Sequence, residues 1–124
     1  MGCGIACVAL LTNKSYEYVK NNYFYKLPGD AKTYGYSGKS ISKALKKAGY
    51  YYYNRREVLR GRDFGKIPNN SICFVRRKPE DKYYHYIIKA AGYWSDPANN
   101  KKHISLPKRY QIVSFIKPID LPKT

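Results

Sequence analysis

No stretch of this chain approaches the roughly 18 consecutive apolar residues of a membrane span, so no transmembrane helix is expected. The opening run, Met1 to Leu11, is apolar but short, and no basic segment precedes it. It does not read as a signal peptide. Cysteine is scarce and odd in number. Cys3, Cys7 and Cys73 cannot all pair within the chain, which argues against a secreted disulfide framework. The simplest account is a reducing, cytoplasmic site of action with at least one working thiol. Histidine occurs twice, at His85 and His103. Structural zinc needs four ligands, usually with close Cys-x-x-Cys pairs. Cys3 and Cys7 stand at i, i+4 instead, so neither a metal nor another cofactor is expected. Gly38-Lys39-Ser40 ends like a phosphate-binding P-loop, but the preceding strand and the first glycine are missing.

Acidic side chains are the other shortage. Eight Asp and Glu face 24 Lys and Arg in 124 residues, a formal net charge of +16. The bases are dispersed along the chain, in groups such as Lys43, Lys46 and Lys47, or Lys101 and Lys102. Such a field attracts nucleic acid, an acidic protein or an anionic surface. A codon bias towards Lys, Asn and Tyr would inflate lysine, but it explains neither the arginines nor the missing acids. Tyr50 to Tyr53 runs straight into Asn54-Arg55-Arg56, and tyrosine beside arginine can stack bases and hold phosphates. Arg55, Arg56, Arg60, Arg62, Arg76 and Arg77 are therefore candidate nucleic-acid-binding residues. Most of the fifteen tyrosines read as core and rim of a small domain.

The length suits one domain with one modest core, and neither a repeat nor a linker divides residues 1–124. Gly4 to Leu11 reads as a short helix, apolar on every side and hence buried. Ser15 can cap a second helix ending near Tyr25, with Glu17 in its first turn and Tyr16, Val19, Tyr23 and Phe24 on its apolar face. Residues 28–38 read as a loop. Ser40 can cap a third helix, with Ile41, Ala44, Leu45 and Ala48 as its stripe and Gly49 just past its end. From Tyr50 the pattern becomes one of strands: 50–53, then 71–77 and 83–92 joined by a turn over 78–82, then 93–95, and finally 109–118. Residues 54–70 and the stretch around His103 read as irregular. Helices first and an antiparallel sheet after them make an α+β layout.

Three residues could carry chemistry. Cys3 falls at the start of the first helix, where free backbone N–H groups and the helix dipole favour a thiolate. Gly2 and Gly4 keep bulk away from it, and its own N–H could face a developing oxyanion. Cys7, one turn on among Ile5, Ala6 and Val8, reads as a packed residue. A buried and inert Cys3 is the plain alternative. His85 sits inside a strand pattern, on one face with Tyr83 and Ile87. Asp96 ends the next strand before Pro97, either as a turn residue or as the acceptor that orients His85.

In this order, GCGIACVALL followed by HYIIKAAGYWSDPA resembles the papain-like cysteine peptidases, nearest to the bacterial branch that clips double-glycine leaders from exported peptides. The resemblance spans most of the chain. It implies a papain-like α+β fold, N-terminal helices packed on an antiparallel sheet, and a peptide or protein substrate. It further implies Cys3 as nucleophile, His85 as general base and acid, and Asp96 as orienter. Members of that family carry an oxyanion glutamine a few residues before the cysteine. Here only Met1 and Gly2 precede Cys3, and the sole glutamine, Gln111, falls in the last strand. Papain-like domains also serve as bacterial toxins. The alternative expectation is thus a basic effector domain, delivered into the cytoplasm as part of a secreted protein. It would bind or cleave RNA such as tRNA through the same Cys-His site and be held in check by an acidic immunity protein.

Overall fold

Serines start two of the three helices in the computed structural model, which describes residues 3–27, 29–30, 35–55, 61–76, 85–106 and 110–119. Helix α1 spans Cys3–Thr12, with Gly4, Ile5, Ala6, Cys7 and Val8 all buried, as an all-apolar run requires. Helix α2, Tyr16–Asn22, is capped by Ser15, whose hydroxyl accepts from the N–H of Tyr18. It stops earlier than the apolar pattern suggests, because Tyr23 already serves as the C-cap. Helix α3, Gly38–Lys47, buries Ile41, Ala44 and Leu45 and turns Lys43, Lys46 and Lys47 to solvent. Gly49 follows it at φ +90°, a conformation that favours glycine.

The α3 cap differs from expectation. Ser37, with extended backbone, accepts from the N–H of Ser40, and Ser40 itself is buried inside the first turn. The chain can enter the helix this early because Gly38 has no side chain; a Cβ there would come within 3.1 Å of the Asn54 amide. Ser37→Ala should cost about 1 kcal/mol of stability in a urea titration, while Ser40→Ala should not touch the cap.

The strands are β1 Gly29–Asp30, β2 Gly35–Tyr36, β3 Tyr52–Arg55, β4 Ile72–Arg76, β5 His85–Ala90, β6 Tyr93–Asp96, β7 Lys101–His103 and β8 Gln111–Pro118. β1 and β2 form a two-residue antiparallel pair inside the segment read as a loop. The other six form one antiparallel sheet in the order β3-β8-β4-β5-β6-β7. Thus the fold is α+β: three helices and a six-stranded antiparallel sheet. A 3-10 turn over Gly61–Lys66 interrupts the stretch read as irregular. The turn expected over 78–82 lies outside the described residues.

Both faces of the sheet are buried. Ile72, Tyr86, Ile88 and Ile116 meet Ile5, Val8, Val19, Ile41 and Leu45 from the helices. Cys73, Val75, Ile87, Trp94, Ile112 and Phe115 pack on the other side with Phe64, Ile67 and Leu106. Ile112 and Phe115 are three apart, so a regular strand would point them to opposite faces. The register between β4 and β8 shifts here, from Phe74↔Ser114 to Val75↔Ile112, and the extra residue restores both side chains to one face.

Candidate active site

The site begins with the end of a strand. Pro97 has no N–H to continue a ladder, and a 3-10 turn over Pro97–Asn99 follows at once. β6 therefore stops at Asp96, and its pairing with β5 ends at Ile88↔Ser95. Tyr86, two residues back along β5, points its backbone N–H and C=O to the side that β6 has vacated. Helix α1 meets both groups. The N–H of Tyr86 donates to Cys3 Sγ at 3.5 Å, and the thiol of Cys7 donates to the Tyr86 carbonyl at 3.6 Å. The i, i+4 spacing of the cysteines is the spacing that satisfies one residue's backbone donor and acceptor together.

The two thiols have opposite electrostatics. Burial pushes Cys3 up, but the hydrogen bond with His85, the Tyr86 N–H, the positive charge of His85 and its own N–H outweigh it. The Cys3 thiol is held below its ordinary 9.0. Cys7 has no such partners. Burial first, then the neighbouring Cys3, Asp96 and Cys73, drive it well above that value. Cys73 lies on the far face of the sheet, and burial raises it to about 12 despite Lys89. Among the three, only Cys3 is suited to be a thiolate near neutral pH.

His85 opens β5 and is half-buried, and Asp96 is buried at the end of β6. His85 Nε2 stands 2.6 Å from Asp96 Oδ1. A carboxylate only accepts, so Nε2 carries the proton and Nδ1 is the ring nitrogen left for the thiol. Burial alone would lower the imidazole pKa. The hydrogen bonds with Cys3 and Asp96, and the negative charge of each, overcome it and raise His85 above its ordinary 6.5. A thiol shifted down and an imidazole shifted up both favour a thiolate–imidazolium pair, with Asp96 behind it.

Gly4 does something other than expected. It is buried, and a Cβ there would lie 3.0 Å from Ile41 Cδ1 and 3.7 Å from the Tyr86 ring. Its smallness lets α1 sit close to α3 and β5, which sets the depth of Cys3, rather than clearing a path for substrate. Two features were not legible in the sequence. His103, in a stretch read as irregular, lies in β7 opposite Trp94 and lines, with His85, Asp96, Lys101 and Tyr110, a small cavity of about 100 Å³. The backbone of Tyr86 carries no side-chain signature at all.

Three of the candidate nucleic-acid residues are described, and they lie on three separate elements. Arg55 ends β3 and Arg62 falls in the 3-10 turn. Arg76 ends β4, and its guanidinium donates to Gln111 Oε1. Arg56, Arg60 and Arg77 lie outside the described residues. Among the described residues no three His, Cys, Asp or Glu side chains gather as metal ligands, and no described helix is long and apolar enough to cross a membrane. No protein-family model matches this chain, and no curated protein matches it.

Proposed function

We propose that the chain is a papain-like thiol hydrolase that cleaves peptide-type acyl bonds, with Cys3 as nucleophile, His85 as acid and base, and Asp96 as positioning residue. The single observation that carries this reading is the continuous line from thiol to imidazole to carboxylate, with Cys3 and His85 both biased towards their charged forms. Chain order supports it as well: a helix-start cysteine, a strand histidine and an Asp-Pro.

In this mechanism Cys3 sulfur attacks the substrate carbonyl carbon, and the C–S bond forms as the carbonyl π pair moves to oxygen. The N–H groups at the start of α1, that of Cys3 included, are the donors nearest the developing oxyanion. Collapse of the intermediate expels the amine, which takes its proton from the His85 imidazolium. His85, now neutral, removes a proton from water as the water attacks the thioester. The acid product leaves, and the thiolate–imidazolium pair returns. The high positive charge favours acidic segments of protein as substrates and an acidic protein as natural inhibitor.

Iodoacetamide provides the direct test. At pH 7 it should alkylate Cys3 on the order of 100-fold faster than Cys7 or Cys73 in the folded protein, read by peptide mapping. Equal labelling of the three thiols would overturn the assignment of Cys3.

A further inference from the structure

The end of the molecule away from the thiol carries a second surface. Two cavities, of about 520 and 920 Å³, adjoin there and share Asn70, Pro118 and Ile119. The first is lined by Leu10 and Leu11 near the end of α1 and by Ala90 at the end of β5. Leu10 is about 10 Å along the helix from Cys3, and Ala90 about 17 Å along the strand from His85. This groove is therefore distinct from the thiol site.

Its walls are aromatic, with Lys117 in the lining of the second cavity and Lys102 beside Tyr93 of the first. The run Tyr50-Tyr51-Tyr52-Tyr53 enters β3, and strand alternation splits it. Tyr52 turns inward, with its hydroxyl donating to the Asn70 carbonyl at 2.9 Å. Tyr51 and Tyr53 turn outward, 44% and 52% exposed, and Tyr50 is 43% exposed. Lys117, opposite Tyr53 in β8, holds its ammonium 6.0 Å from the Tyr53 ring, and Lys102 sits 5.2 Å from the ring of Tyr93. Among the described residues neither cavity is lined by Asp or Glu. A core has no use for four consecutive tyrosines of which three are exposed, one of them beside a lysine.

We propose that this groove binds single-stranded RNA, with Tyr51 and Tyr53 as stacking platforms and Lys102 and Lys117 as phosphate contacts. An exposed ring accepts any base face, and a nearby ammonium holds the phosphate between successive bases. Duplexes keep their bases stacked and hidden, so they offer nothing to Tyr51 and Tyr53. The exposed side-chain amides of Asn69 and Asn70 provide donors and acceptors for ribose 2′-hydroxyls, which DNA lacks. The charge of +16 supplies the long-range attraction that brings a polyanion to this surface. This inference stands independently of the hydrolase reading, since none of these residues belongs to the thiol site.

The test is fluorescence anisotropy with a labelled 12-nucleotide RNA of mixed sequence, the same sequence as DNA, and an RNA duplex. Wild type should bind the single-stranded RNA in preference to both others. Tyr51→Ala/Tyr53→Ala should weaken that binding about 10-fold or more, and Tyr51→Phe/Tyr53→Phe should retain it. Lys102→Ala/Lys117→Ala should weaken it and lower the dependence on salt. Lys43→Ala/Lys46→Ala, on the solvated face of α3, removes the same charge and should have the smaller effect. Cys3→Ala should bind like wild type. Wild-type affinity in the Tyr→Ala pair would overturn the proposal, as would equal binding of DNA or duplex, or an equal loss from the α3 lysines. Tyr51, Tyr53, Lys43, Lys46 and Lys102 are exposed, Lys117 and Cys3 are half-buried, and thermal melts will show the variants folded.

Discussion

Cys3→Ala will abolish cleavage of any peptide that the wild-type chain hydrolyses, and His85→Ala will be nearly as silent, each by roughly four to six decades in kcat. The reason is that the two groups act as one unit. Without His85 the thiol loses its main hydrogen bond and the positive charge that hold it down against burial. Without Cys3 the imidazole has nothing to activate. The double variant should therefore be no worse than the worse single, a non-additivity that independent contributions would not produce. A second readout needs no substrate. The thiolate's hydrogen bond and charge both raise His85, so Cys3→Ala should lower the His85 pKa, followed by NMR of the imidazole protons. An unchanged His85 titration in a folded Cys3→Ala protein would break the link between the two residues. The fold should survive, because the change removes one long sulfur hydrogen bond from the Tyr86 N–H and leaves that of Cys7 in place.

Asp96 should act on the shape of the pH profile as much as on its height. The reactive pair exists between two limits: Cys3 must have lost its proton, and His85 must still hold one. The Cys3 pKa, lowered from 9.0, sets the acid limb, and the His85 pKa, raised from 6.5, sets the alkaline limb. Removing the carboxylate takes away a hydrogen bond and a negative charge that favour imidazolium. The alkaline limb then moves to lower pH. The acid limb moves to higher pH, because a less stable imidazolium stabilises the thiolate less. The window narrows from both sides. Asp96→Asn keeps an oxygen that can accept from Nε2, so it should preserve ring orientation and show the narrowed window with a modest fall at the optimum. Asp96→Ala loses orientation too, and should cost about two to three decades in kcat. Rates of Cys3 alkylation against pH measure the same limbs without a substrate. A profile identical to wild type in Asp96→Ala would show that Asp96 only ends a strand.

Much of the secondary structure follows from local pattern. The apolar run after Cys3 forms α1, the stripe Ile41-Ala44-Leu45 forms α3, and Ser15 and Gly49 mark helix ends as their side-chain and backbone preferences dictate. Strands β4, β5 and β8 are legible in their β-branched and aromatic content. The misses have particular causes. Ser37 and Ser40 are equally good caps by type. What separates them is the packing of Gly38 against Asn54, sixteen positions away. β1, β2 and β7 are two or three residues long, so no periodicity can announce them. β7 forms because β6 offers it an edge, at Trp94, Ser95 and Asp96.

By itself the sequence determined which residues are candidates for the chemistry. A thiol at a helix start, an imidazole in a strand and a carboxylate before a proline are all consequences of local preference, and the alternation along β5 puts His85 and Ile87 on one face. Only the tertiary structure decided that these groups meet. Cys3 and Tyr86 are 83 positions apart. They come together because Pro97 ends β6 and leaves the polar backbone of Tyr86 facing a gap, and buried N–H and C=O groups must find partners. Helix α1 supplies two sulfurs one turn apart, and the one at the helix start lies beside His85. The division between a Cys3 biased towards thiolate and a Cys7 biased against it is thus a matter of which neighbour each meets, a long-range relation that no local pattern contains.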